Sequence, residues 1–494
     1  MICIMHTATL KAAFFAAFLF FFAAFSANAK IRLPRVFSDN MVLQQNSDVK
    51  IWGTASPNST IGIKASWSRS AVNAKCGPNG KWSARIKTPA AGMKPQKIEI
   101  AEYAATEGKS KGRKPERVAL NDVLIGEVWL CSGQSNMEIT LNGYINCPIE
   151  GANDLIADAG DLAGVRYITI ARNSPRHPVD TCGGKWQTSS PNTAPYVSAA
   201  AFVFAKSLYD ALNIPIGIII NAWGGSTVEG WLPESILKTY PDVDLKQLDD
   251  PKNDSWLRPE VMYNGMLHPI EGYAIRGALW YQGESNVGHA DTYSDRLPTM
   301  ISTWRKEWGI GDFPFIIVEI APFDYSAGGK GIDGALLRAA QYKVSQNVWN
   351  CYYVCTNDLV ESYEEDNIHP KDKIDVGKRM SYHALSDIYG MDGVSAYSPS
   401  FQSMEIRGGK AYLSFYNIME GFVYTEGLKG FEVAGADKVF HPAQAQVEQD
   451  TLIAVSSPEV PEPVSVRYCF RDFQIGNVKN SRWLPLVPFR TDEW

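Results

Sequence analysis

The chain is short of residues that act as bases near neutral pH. It carries seven histidines in 494 residues, and one of them, His6, precedes a run of alanine, leucine and phenylalanine. Histidine-dependent chemistry must therefore use His177, His268, His289, His369, His383 or His441. No CxxC pair occurs among the eight cysteines, so neither a disulfide scaffold nor a zinc site is signalled. Cys3 falls in the leader, and the remaining seven form an odd set that leaves at least one thiol free. Cys147 and Cys182, both in loop-like sequence, are the candidates for a bridge. Cys351 and Cys355 face one side of a strand too far apart to bond. Charge is not in excess either: the formal net charge is −6. The basic run from Lys109 to Lys114 is interrupted by Ser110 and Gly112 and reads as a solvated loop, which argues against nucleic acid as a partner. No G-x-S-x-G nucleophile elbow is present, and no internal repeat or low-complexity tract follows the leader.

What is present begins with an export signal over residues 1–29. Lys11 precedes AAFFAAFLFFFAAF, and Ser26-Ala27-Asn28-Ala29 offers small residues for cleavage before Lys30. The apolar core is short for a bilayer span, so no stable membrane insertion is expected after cleavage. The mature chain is expected to be exported, to a periplasm or to the exterior. Residues 30–120 then alternate in short β-like runs (Val49–Ile51, Ile61–Ile63, Trp82–Ile86, Ile98–Ile100) broken by Gly and Pro turns, the pattern of a small antiparallel sandwich.

Over residues 121–392 the rhythm becomes strand and helix in alternation. Apolar runs at Val123–Cys131, Ile214–Ala222, Ile275–Trp280, Phe313–Ile320 and Val348–Thr356 lack period-two alternation, so they are expected to be buried on both faces of a parallel sheet. Helical stretches are expected at Pro195–Leu212, Tyr293–Trp308, Ala335–Val348 and Ile374–Tyr389. The fold class is α/β, a doubly wound parallel sheet. Two insertions, Ile139–Pro191 and Pro233–Pro269, are rich in Asn, Asp, Pro and Gly and are expected to be loops walling a cleft. From 393 to 494 period-two alternation returns, giving a C-terminal β unit.

The chain is organised around Asp122–Glu138. A buried strand there ends in the polar turn Ser132-Gly133-Gln134-Ser135-Asn136, which delivers Ser135 to the carboxyl edge of the sheet, where open α/β sheets bind ligands. A hydroxyl becomes a nucleophile when a base takes its proton. Of the six histidines, His369 has an acid three residues before it, Asp366, on the polar stretch between the last strand and the last helix. Asp358 is a rival orienting acid. Oxyanion donors are expected at two further strand ends: the backbone of the Gly224-Gly225 turn and the amide side chains of the block Gln282–Asn286. Trp223, Trp231, Tyr263 and Tyr281 lie near the proposed cleft, either to stack on a ligand or to fill the core.

GQSNM at 133–137, WGGS at 223–226, WYQGESN at 280–286 and DNIHPKDK at 366–373, in this order, resemble the SGNH-type esterases and more narrowly the sialate O-acetylesterase family of carbohydrate esterases. RLPRVFSDNMVLQQ at 32–45 and LPLVPFRTD at 484–492 extend the resemblance over nearly the whole mature chain. It implies an SGNH-hydrolase-like catalytic domain flanked by N- and C-terminal β units. It implies Ser135 as nucleophile, His369 as base and then acid, and Asp366 as its orienting partner. The oxyanion would be held by the Ser135 and Gly225 amides and by Gln282 or Asn286, although the block here reads Gln-Gly-Glu-Ser-Asn where the family pattern has GxN. Asn136, Trp223, Tyr281 and Glu284 are further candidates for substrate contact, Glu284 also as an acid supporting His369. No metal or organic cofactor is implied. The partner is an O-acetylated sugar or glycan, O-acetyl sialic acid first and acetylated plant polysaccharide such as acetylxylan second. A sugar-binding protein on a disabled scaffold would lack the serine or the histidine. The rate is expected to rise as His369 loses its proton near or somewhat above pH 6.5.

Overall fold

A computed structural model describes residues 31–103, 115–249, 254–418, 420–423 and 427–494. The leader and the basic run at 109–114 lie outside the described residues. The chain divides into two compact units, one containing Lys50–Ile86 and Lys97–Leu120, the other Pro34–Val49, Lys87–Gln96 and Asn121–Trp494.

In the first unit, Thr60–Ala65 lies antiparallel between Val72–Lys75 and the strand containing Ile98–Tyr103, while Asp48–Thr54 pairs with Lys81–Lys87. Ile61, Ile63, Ile98 and Ile100 are buried, as their alternation requires. Pro34–Val49 and Lys87–Gln96, read from sequence as part of the N-terminal β domain, cluster with the second unit instead. Val42–Gln44 pairs there in parallel with Leu124–Gly126, and Gln44 and Gln45 both donate to the buried Glu127.

The second unit is built on strands β1 (Glu116–Gly133, from Asn121 onward), β2 (Val165–Thr169), β3 (Ile216–Ala222), β4 (Gly277–Tyr281), β5 (Phe315–Val318) and β6 (Cys351–Val354). All pair in parallel, in the order β6-β5-β4-β1-β3-β2. The helices are α1 (Ser135–Glu138), α2 (Ala199–Leu212), α3 (Ala290–Trp308), α4 (Asp333–Asn347) and α5 (Ile374–His383). α2 and α5 cover one face, where Phe202, Phe204, Val376 and Met380 join Trp129, Cys131, Leu279 and Val318 in one apolar core. The Ser198 hydroxyl caps α2 by accepting from the Ala201 amide at 3.2 Å, and Asn213 ends it in the left-handed conformation. On the other face Trp280 of β4 meets Trp304 of α3 edge to face at 5.6 Å.

β2 corrects the reading of Ile139–Pro191 as a loop, for that insertion holds this strand of the sheet, the edge strand Gln187–Thr188 antiparallel to it, and a helix at Ala152–Asp158. The strand is short, and its Arg166 is buried in an ion pair with Asp122, so its apolar signal is broken by a charge whose partner is remote in sequence. Among its described residues the second insertion holds short helical pieces, at Glu234–Leu237, at Ser255–Leu257 and, as a π-helix, at Tyr263–Leu267.

The C-terminal strands form two four-stranded antiparallel sheets. Leu413 and Phe415 of one share a core with Val433, Val466 and Phe489 of the other, so this segment is a sandwich in its own right. The seven described cysteines are all free. The bridge considered between Cys147 and Cys182 is not formed: Cys182 is buried, and Cys147 faces His369. Among the described residues no helix is long and apolar enough to cross a membrane.

Candidate active site

Three strand ends meet in register. Gly133 at the end of β1 lies opposite Ala222 of β3 on one side and Tyr281 of β4 on the other. Its φ of 138° suits glycine, and a Cβ there would lie 2.1 Å from the Tyr281 carbonyl oxygen, so the turn depends on this residue. The chain then passes directly into α1, whose first residue is Ser135. The amides of Met137 and Glu138 bond the Gln134 carbonyl, leaving those of Ser135 and Asn136 without an acceptor among the described residues. The Ser135 side chain is half-buried. Gln134, buried, fixes the turn by accepting from the amides of Gly283 and Ser285 beyond β4.

Beyond β3 the Gly224 amide donates to the Glu138 carboxylate at 2.8 Å, which ties the WGGS turn to α1. A Cβ at Gly224 would lie 3.2 Å from that of Ser135, so the two turns are in contact. Gly225 follows with φ 78°, and its amide has no acceptor among the described residues. The Ser135 and Gly225 amides, both without an acceptor among the described residues, thus belong to two turns in contact, and unspent N–H donors are what a developing oxyanion requires.

The amide side chains chosen from sequence are not available for that task. Gln282 is fully buried and spends both N–H bonds, on the Ser226 carbonyl and on Asn286 Oδ1. Asn286 Nδ2 is held by the Glu229 carboxylate, and its Oδ1 also accepts from the Val228 amide. Both residues brace the turn after Gly225 and are corrected from oxyanion donors to supports. Glu284 is buried, and burial raises its carboxyl above the ordinary range although Asn136 and Lys373 pull the other way. It accepts from Asn136 Nδ2 at 2.6 Å and does not hold His369.

Asn136 links the nucleophile turn to the histidine loop, for its Nδ2 also donates to the Ile368 carbonyl at 3.0 Å. His369 comes next in the chain. Its Nδ1 lies 3.7 Å from Cys147 Sγ, and its Nε2 is buried with no hydrogen-bond partner among the described residues. Burial, and secondarily the charge of Lys373, push its pKa down to about 4, so the ring is neutral at pH 7. Burial also raises the Cys147 thiol, which donates to Asn367 Oδ1 at 3.3 Å. The sulfur lone pairs are then free to accept from Nδ1–H, leaving Nε2 as the basic nitrogen. Asp366, expected as the orienting acid, is exposed, and among the described residues no hydrogen bond joins it to His369. The physical reason is the turn itself: Asn367, not Asp366, points inward and accepts from the His369 amide at 3.0 Å. Asp358 is elsewhere again, buried between Arg379 and Lys479.

Lys373 was not singled out in the sequence, where nothing distinguishes it from Lys371. It is fully buried, donates to the Pro370 carbonyl, and is lowered to about 8 by burial against the pull of Asp372 and Glu284. The aromatic candidates change as well. Tyr281 is buried in the apolar core, Trp231 packs against Trp280 and Trp304, Tyr263 is buried and donates to Glu307, and Trp223 is buried under the Arg172 guanidinium. The exposed rings are others. Tyr144 stands edge to face on His369 with centroids 5.4 Å apart, and Trp256 lies over Gly225, where a Cβ would sit 2.7 Å from its Cδ1. Each comes from one of the two insertions, whose sequences carry no period that would mark a single ring. Among the described residues no group of three or more His, Cys, Asp or Glu is arranged to hold a metal ion.

A family model for carbohydrate esterases described as sialic acid-specific acetylesterases matches residues 185–386, which include Gly225 and His369 and begin after Ser135. The chain is 27% identical over 434 residues to the human sialate O-acetylesterase, covering 83% of this chain and 81% of that protein. The mouse sialate O-acetylesterase is 25% identical over 527 residues, 94% of this chain and 95% of that one. Among solved structures, a carbohydrate acetylesterase from Xanthomonas citri superposes with a TM-score of 0.81 at 30% identity, covering 94% of this chain and all of that one.

Proposed function

The chain belongs to the family of sialic acid-specific carbohydrate acetylesterases and is a carboxylic ester hydrolase; on that premise we propose that it deacetylates O-acetylated carbohydrate through an acetyl-enzyme on Ser135. The reading is carried by one observation. The buried, unpartnered Nε2 of a neutral His369 stands on a loop that is hydrogen-bonded to the residue following Ser135. Ser135 Oγ adds to the acetyl carbonyl as its proton passes to His369 Nε2. The amides of Ser135 and Gly225 take the oxyanion, each such donor contributing about 3 kcal/mol. The tetrahedral adduct collapses, the C–O bond to the sugar breaks, and the imidazolium returns its proton to the leaving hydroxyl. Water then attacks the acetyl-serine with His369 again as base, releasing acetate and restoring the hydroxyl.

The triad in this account is of the SGNH type with a neutral orienting contact, Cys147, in the place of a carboxylate. The substrate of first choice is O-acetyl sialic acid, supported by the names of the family and of its mammalian relatives. Export is supported by the leader sequence alone. The test is acetate release from 9-O-acetylated sialic acid and from acetylated xylan, by the wild type and by Ser135→Ala side by side. Release from sialic acid that vanishes in the variant supports both halves of the proposal. Serine-dependent release from xylan alone would keep the mechanism and replace the substrate.

A further inference from the structure

Next to the catalytic turn, on the Gly225 side, lies a cavity of about 260 Å³ to which no role has yet been given. It is joined to the site through shared residues. Ser285, on its wall, donates to the Gly225 carbonyl at 2.8 Å, and Leu257, also on its wall, follows Trp256, the indole that covers Gly225. Trp256 is partly exposed, so an aromatic side chain beside Gly225 remains open to a ligand.

The lining has a definite charge character. Its charged and titratable side chains are Glu229, Asp242, Asp244, His289 and Arg296. That guanidinium is buried and already committed: one terminal nitrogen is held by Glu229 and the other by Asp242, and Tyr240 lies beneath it at 5.0 Å. Among the described residues no other lysine or arginine lines the wall and His289 is its one further basic side chain, whereas carboxylate oxygens and the exposed side chain of Gln247 offer hydrogen-bond partners. Such a lining accepts from hydroxyl groups and repels carboxylates. An aromatic face beside acceptors at sugar-ring scale is the chemistry of pyranose recognition, because the C–H face of the ring stacks and its hydroxyls donate.

We infer that Trp256 and this cavity form a subsite for an uncharged sugar, the one joined to the acetylated residue, so that the enzyme is shaped for an acetyl sugar within an oligosaccharide. The inference rests on the carbohydrate-ester reading of Ser135. It goes beyond that reading by assigning a second, neutral sugar to a separate set of residues.

The test uses the full chain and binding rather than turnover. Calorimetric titration with lactose and xylobiose, both uncharged, is compared with titration by digalacturonate. The expected result is millimolar binding of at least one neutral disaccharide and about tenfold weaker binding of digalacturonate. Trp256→Ala is expected to weaken the neutral ligand about five- to tenfold. Asp244→Asn removes a charge and keeps an acceptor, so it is expected to retain the neutral ligand and to narrow the gap to digalacturonate. Melting curves show which variants fold, and the exposed position of Asp244 keeps the second test open if Trp256→Ala does not. Absence of neutral binding at tens of millimolar, equal binding of digalacturonate, or wild-type affinities in both folded variants overturns the inference. Hydrolysis of p-nitrophenyl acetate by the wild type reports the esterase separately: its absence counts against the Ser135 reading and leaves the binding result standing.

Discussion

The side-chain amide of Asn136 donates to the carbonyl of Ile368 at 3.0 Å, and this bond joins the residue after Ser135 to the residue before His369, the nucleophile and the base of the proposed mechanism. The same nitrogen is held from the other side by Glu284. Two loops more than two hundred positions apart are thereby set against each other.

Asn136→Ala removes that link and is expected to lower kcat about a hundredfold with little change in KM, because misplacement by about 1 Å costs that much. Steady-state kinetics on p-nitrophenyl acetate give the number. A loss confined to KM would show that Asn136 binds substrate and does not align the two loops.

The pH profile follows from the His369 environment. A base must be deprotonated, so kcat/KM rises as the ring loses its proton, with a midpoint near 4 in place of the ordinary 6.5 expected from sequence alone. Lys373→Met removes a buried positive charge, which favours the protonated imidazole, and the midpoint is expected to move up. A limb that stays near 6.5 in the wild type contradicts the burial argument.

Cys147→Ala leaves Nδ1 without its sulfur partner and is expected to reduce kcat about tenfold or more, as loss of an orienting group does. Asp366→Ala, at an exposed carboxylate, is expected to stay within about twofold of wild type. The reverse pattern would return Asp366 to the triad.

Asp358 tests stability. Burial raises its carboxyl, but Arg379 and Lys479 outweigh that and hold it below the usual range. A carboxylate depressed in this way contributes stability that is present above its unfolded-state pKa of about 3.9 and is lost as pH falls through its folded value. Asp358→Ala leaves two cations unpaired, one of them buried, and is expected to cost about 3–5 kcal/mol. Denaturant unfolding at pH 7 measures it, and the difference from wild type should shrink on acidification towards pH 3.

The strands and helices of the catalytic region were legible because both faces of β1, β3 and β4 are buried, which writes them as unbroken apolar runs. β2 was not, because Arg166 interrupts it and its partner Asp122 is far away in sequence. That Ser135 and Gly225 follow strand ends and that His369 lies on the loop before α5 was legible. The duties of their neighbours were not: whether Gln282 donates to a ligand or to Ser226, and whether Asp366 or Cys147 meets the imidazole, depends on which way a turn faces. Sequence spacing is silent on that, and so the supports Gln134, Glu138 and Lys373 and the rings Tyr144 and Trp256 emerge from the fold alone.

The central claim is that Ser135 carries the acetyl group. Quenching the wild type with acid during turnover of p-nitrophenyl acetate and mapping peptides by mass spectrometry tests it most directly. One acetyl group is expected on the peptide containing Ser135, absent from Ser135→Ala. An acetyl group on another residue, or full activity in that variant, would contradict it.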